Sequence, residues 1–179
     1  MRLYKLTDSK GQTRNETQWG PNVTHSATGG PGQPLCTDGW IHAYEHPLMA
    51  VIMNPAHGKY QNPRMWVAEG EIGKRDGQLK CGCRSLTTME ETPLPAVTTE
   101  QLVHFAILVA KQVYSDPGFT IWADNWISGK DRTEAAAWAA AVDLKFSART
   151  AAWATWAAVG AEAAANINLV EIAEQIFGK

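Results

Sequence analysis

Residues 65–89 read MWVAEGEIGKRDGQLKCGCRSLTTM, and the fold class turns on how this stretch alternates. Across residues 65–72, Trp66, Ala68, Gly70 and Ile72 fall on one face, and Met65, Val67, Glu69 and Glu71 on the other. That period of two predicts a strand. Residues 73–77 predict a turn and residues 78–89 a returning strand. Connections this short join antiparallel neighbours, since parallel strands need a long crossover.

Outward from this hairpin, residues 2–6 predict an opening strand and residues 35–44 another. The latter runs into a short helical stretch over residues 47–53, where Pro47 suits a first turn. Residues 7–34 are polar and glycine-rich and read as one long loop, with GGPGQP at 29–34. A loop of that length is uncommon in a compact domain unless it is functional or mobile. The expectation for residues 1–97, which hold eight of the nine prolines, is a mainly antiparallel sheet of three or four strands.

The composition shifts to alanine near residue 98. Thr98 followed by Gln101 is a capping box ahead of Leu102, Phe105, Ala106, Val109 and Val113 at helical spacing. Asp116-Pro117-Gly118 is expected to end that helix. Asp131 with Glu134 predicts the start of an alanine-rich helix, which either runs on unbroken or folds back as a hairpin within residues 131–165. Asn168 with Glu171 caps a final helix carrying Leu169, Ile172, Ala173, Ile176 and Phe177, stopped by Gly178. The class is therefore α+β: a small, mainly antiparallel sheet with loops in residues 1–97, packed as one unit with an Ala/Trp-rich helical part in residues 98–179. Alanine faces let helices approach closely while tryptophans fill the gaps, so a homodimer through the Ala/Trp helices is an expectation.

A chain of 179 residues with 45% hydrophobic residues can bury a core without disulfides or a structural metal. The net charge of -2, with no basic stripe, does not indicate a nucleic-acid binder. No stretch of 18 apolar residues is present, so no membrane span is expected. Three cysteines and a polar start without a signal-peptide pattern point to the cytoplasm.

The chain lacks the phosphate-binding G-x-x-x-x-G-K-[ST] pattern, the G-x-S-x-G elbow and the H-E-x-x-H metal helix. Cys81-Gly82-Cys83 together with Cys36 and His42 or His46 would supply four metal ligands. A single intervening residue is not the usual zinc spacing, and buried reduced cysteines without metal are the expectation. His42 and His46 lie in and just after a strand-like stretch beside a loop, which makes them candidates for ligand binding. Glu69 and Glu71 place two carboxylates on one strand face, about 7 Å apart. Such a pair can position a nucleophile and stabilise an oxocarbenium-like centre; a solvent-facing strand side is the plainer reading. Trp122 and Trp126 around Asp124-Asn125 would anchor a partner if exposed and would pack a core if not.

The segment LCTDGWIHAYEHPL at 35–48 resembles the core motif of an uncharacterised family of phage and prophage proteins. In that family a Leu-Cys-x-x-Gly stretch leads through an aromatic or aliphatic residue to His-Ala and a Pro-Leu helix. The resemblance spans about residues 1–115, with the opening LYK, the VAEGEI strand and the alanine-rich C-terminus also matching. Trp40-Ile41 stands where the family usually has one residue, and Tyr44 where a second cysteine is common. The likeness implies a phage origin and no particular activity. The expectation drawn from it is a phage-encoded accessory protein that needs no cofactor and binds a host protein, in anti-defence or host takeover.

A second similarity, to ADP-ribosyltransferases, rests on Arg2, Tyr44 and Glu69-x-Glu71 in that order. It implies NAD as cofactor and a catalytic role for those four residues. A third reading is a small-nucleotide sponge, in which the glycine-rich loop and His42 hold a ligand without turning it over.

Overall fold

The computed structural model describes residues 1–133 and 167–178. The chain divides into two compact units, Met1–Ala96 and Val97–Lys179. The first is a five-stranded antiparallel sheet with one helix. Its elements are β1 (Arg2–Thr7), β2 (Gln12–Thr13), β3 (Thr17–Gln18), β4 (Val23–Ser26), β5 (Ile41–Ala43), α1 (Pro47–His57), β6 (Arg64–Asp76) and β7 (Lys80–Thr92). The sheet runs β1-β6-β7-β4, with β5 on the other end of β7; β2 and β3 form a separate hairpin.

The β6–β7 hairpin is the centre of the sheet, as residues 65–89 predict, but both strands are longer than expected. The turn narrows to residues around Gly77, whose φ of 48° suits a glycine. Residues 73–76 join the strand because the register slips between Ile72 and Lys74, which absorbs Gly73. Two further slips lie between Val67 and Ala68 and between Gly70 and Ile72. Each adds local twist. The second puts Cys83 and Leu86, three positions apart, on the same buried side, which an unbroken alternation would not do.

Twist of this kind rolls the sheet. Beyond β5, Tyr44 forms an antiparallel bridge with Tyr4 of β1, through Tyr4 N–H to Tyr44 O (2.8 Å) and Tyr44 N–H to Tyr4 O (2.9 Å). A ring of backbone pairing thus runs β1-β6-β7-β5 and back to β1. Leu3, Trp19, Ala43, Ala68, Cys81, Cys83 and Leu86 make one buried cluster.

Residues 7–34 are not a single loop: they hold the β2–β3 hairpin and the edge strand β4, which pairs Val23–Ser26 with Thr88–Ser85 of β7. Of residues 35–44, only Ile41–Ala43 is strand. Leu35 and Trp40 instead lie against Gly82, and Trp40 also covers Gly73, where a Cβ would stand 2.5 Å from its ring. Helix α1 continues to His57, past the predicted end at 53. Its Pro55 lies inside the helix, in the last turn, where it forgoes one i→i−4 hydrogen bond.

In the second unit, α2 (Thr99–Val113) begins with the predicted capping box in both directions: Gln101 N–H donates to Thr98 Oγ1 and Thr98 N–H to Gln101 Oε1. Asp116-Pro117-Gly118 ends α2 and also starts a helix absent from the sequence reading, α3 (Pro117–Ile127). Asp116 accepts from Phe119 N–H at 2.8 Å and Pro117 occupies the first turn. The last described helix, α4 (Leu169–Phe177), carries the predicted Asn168 cap, which accepts from Glu171 N–H. Of the Ala/Trp helix expected over residues 131–165, residues 134–165, and with them the homodimer through that helix, lie outside the described residues. No described helix is long and apolar enough to cross a membrane.

Candidate functional site

Pairing register decides which side chains meet. His42 is opposite Gly82, so His42, Tyr44, Lys80 and Gly82 share a sheet face by the period of two, and Cys81 and Cys83 lie on the other. On the first face Tyr44 Oη contacts His57 Nδ1 at 3.2 Å, bringing in the end of α1. Lys80, 8% exposed, donates from Nζ to Cys36 Sγ at 2.9 Å. His42 Nε2 bonds the Leu35 carbonyl, which fixes that nitrogen as the donor and leaves Nδ1 as an acceptor. Cys36, His42, Tyr44, His57 and Lys80 therefore form one cluster, to which residues 27–40 contribute Cys36 and the Leu35 carbonyl.

That segment is tied down at several points. Gly29 N–H donates to Asp38 O (2.9 Å) and Ala27 N–H to Arg84 O (2.8 Å). Trp40 Nε1 and Lys74 Nζ both donate to Gln33 O, at 2.9 and 3.1 Å. The Arg84 guanidinium bonds Gly39 O.

The charged groups that act on His42 are cations. Burial holds the His42 imidazole below its usual range, and Lys5, Lys80 and Arg14 press the same way against the favourable Leu35 carbonyl. His57 is pushed down to about 4, by burial first and then by Lys80 and His42. The Tyr44 phenol is pushed up by burial, so at neutral pH a neutral phenol faces a neutral imidazole.

His57 makes a testable contribution to acid stability. Between pH 6.5 and 4 the unfolded chain takes up a proton that the folded imidazole refuses, so stability present above 6.5 is lost as pH falls to 4. Allowing for partial exposure, the loss is about 2 kcal/mol. Denaturant unfolding at pH 7 and pH 4.5 should show a smaller acid loss in His57→Gln than in the parent. Equal losses would remove His57 from the account.

Lys5 lies at the seam between β1 and β5. Its Nζ donates to the His42 carbonyl at 2.7 Å and sits 5.0 Å from the Trp19 ring centre. Burial pushes it down to about 8. Beside it, Cys81 and Cys83 are buried and unbridged. The Cys81 thiol is pushed up by its hydrogen bond with Cys83 and by burial. The four-ligand set considered from sequence is split by the sheet: Cys36 and His42 are on the face opposite Cys81 and Cys83. Among the described residues no group of three or more His, Cys, Asp or Glu side chains converges as a metal site.

The other sequence candidates are dispersed. His46 caps α1, its Nδ1 accepting from Leu48 N–H at 3.3 Å. Arg2 and Glu69 are directly opposed in the β1–β6 pairing, and Glu69 and Glu71 are exposed. Tyr44 shares their sheet face by register, but its side chain is buried and its hydroxyl is engaged by His57. Trp122 and Trp126 are half-buried against the Ile107, Phe119 and Ala123 cluster between α2 and α3. The Arg132 guanidinium lies 4.7 Å from the Trp126 ring. Lys5, His57 and Lys80 were not among the sequence candidates.

No protein-family model matches this chain, and neither a curated protein nor a solved structure is similar to it.

Proposed function

We propose that the first unit is a binding module that holds a small phosphate-bearing ligand of nucleotide size against His42, His57 and Lys80, without turning it over. The carrying observation is the charge imbalance. Lys5, Lys80 and Arg14 all disfavour a charge on His42, while the sole hydrogen-bond acceptor of buried Lys80 among the described residues is a thiol sulfur. A buried ammonium is ordinarily paired, and a phosphate oxygen replaces sulfur as a far stronger acceptor. In the tautomer whose Nδ1 accepts from Tyr44, the His57 Nε2–H supplies a second donor. Gly30 and Gly32 in the 27–40 segment face open space, which leaves room at the crest of the loop.

Calorimetric titration with ADP and with inorganic phosphate tests this reading. Saturable one-to-one binding is expected, weakened at least tenfold in Lys80→Met, with the ADP recovered intact. Absence of saturable binding, or binding indifferent to Lys80→Met in a folded variant, overturns it. If NAD is consumed instead, and Glu71→Ala abolishes that consumption, the ADP-ribosyltransferase reading replaces it.

A second reading, a phage accessory protein binding a host protein, is favoured by one observation in the other unit. Ile121 of α3 is 64% exposed, next to half-buried Trp122, an arrangement suited to an apolar anchor with an aromatic neighbour. Retention of one stoichiometric host protein by the parent chain and its loss in Ile121→Asp would support that reading.

A further inference from the structure

We propose that Cys36 and Lys80 are a peroxide-responsive cross-linking pair, a modification site that goes beyond the binding role above. Hydrogen peroxide oxidises the Cys36 thiol to the sulfenic acid: its O–O bond breaks, one oxygen passes to sulfur and the other leaves as water. Lys80, having released its ammonium proton to solvent, then attacks the sulfur through Nζ. The S–O bond breaks, an S–N bond forms, and a second water leaves, giving Cys36–S–NH–Lys80. Sulfur loses two electrons in total and the peroxide gains them.

Three observations carry this. Cys36 is exposed whereas Cys81 and Cys83 are buried, so an oxidant in solution reaches one thiol of the three first. Lys80 is 8% exposed, and its Nζ stands 2.9 Å from Cys36 Sγ; the nucleophile is already in contact with the atom it must attack. The backbone on both sides of Cys36 is held in place. Leu35 O accepts from His42, and Thr37 Oγ1 donates to Pro34 O at 2.7 Å. The sulfenic acid therefore forms beside the amine and condenses with it before a diffusing thiol arrives. Reduction by excess thiol restores both side chains.

The test is peptide mapping of the full chain after treatment with hydrogen peroxide. The expected product is one linked peptide pair joining Cys36 to Lys80, lighter than the two unmodified peptides by two hydrogens and separated by dithiothreitol. In Lys80→Arg the same treatment should instead leave a Cys36 sulfenic acid that dimedone traps. The proposal is overturned if parental Cys36 is recovered as a dimedone adduct or sulfinic acid with Lys80 unmodified. It is equally overturned if the link joins other residues. The mapping of the parent chain decides the matter by itself should Lys80→Arg fail to fold.

Discussion

Replacing Lys5 by methionine is expected to stabilise the protein at pH 7 by about 1 kcal/mol and to remove the rise in stability that Lys5 contributes between pH 8 and 10.5. The fall of the Lys5 pKa from 10.5 to about 8 corresponds to about 3 kcal/mol, the cost of keeping this ammonium charged inside the sheet. The sign follows from proton binding. Between pH 8 and 10.5 the unfolded chain carries the proton and the folded chain does not, so stability rises with pH and is fully gained only above 10.5. Methionine keeps the stem's packing and removes the charge. It also leaves the His42 carbonyl without its 2.7 Å donor and forfeits the contact with Trp19. Together these return about 2 kcal/mol of the gain. Denaturant unfolding at pH 7, 8, 9 and 10 separates the contributions, because other titrating groups are common to both proteins. Parallel stability curves would show that Lys5 is not the source of the slope.

Gly82→Val is expected to destabilise the first unit by about 2–3 kcal/mol and to lift the 27–40 segment off the sheet. A Cβ at this position would lie 2.4 Å from Leu35 Cδ1, 3.0 Å from Trp40 Cβ and 3.2 Å from Trp40 Cγ. The leucine terminus can swing aside. The tryptophan is less free, since its ring also covers Gly73 and its Nε1 bonds Gln33 O. Relief comes by moving residues 33–40 as a piece, and Cys36 travels with them away from Lys80. Hydrogen exchange should therefore quicken over residues 27–40 while β1, β6 and the middle of β7 stay protected. Exchange unchanged in this segment, with stability within about 0.5 kcal/mol of the parent, would contradict the packing argument.

Where one local rule governs, sequence and structure coincide. The β6–β7 hairpin follows from alternation, and α2 and α4 follow from their capping residues at Thr98 and Asn168. Where two rules share the same residues the reading failed. Asp116-Pro117-Gly118 is both a stop and a start, and the stop signal hides the start. β4 (VTHS) is a half-buried edge strand whose polar alternation looks like loop. The register slips in β6 and β7 hide the common burial of Cys83 and Leu86, because they are made by the partner strand and not by local composition.

The site was half legible for the same reason. His42 stood out in a strand-like stretch, whereas Lys80 and His57 become relevant only when residues 36, 57 and 80 meet. Lys5 had a readable signal that went unused: it alternates with Leu3, so a strand that buries one buries the other.

The ring of pairing also dictates an order of assembly. Every rung of the main sheet involves β6 or β7, apart from the single Tyr4–Tyr44 bridge. β1 must wait for partners that begin at Arg64, so during synthesis it leaves the ribosome well before the strand it pairs with. Only the β2–β3 hairpin, α1 and the tyrosine bridge can form before then. Such distant pairing slows folding and leaves a strand open to wrong partners in the interval. The vulnerable moment in the life of this protein therefore comes between the emergence of Thr7 and that of Thr92.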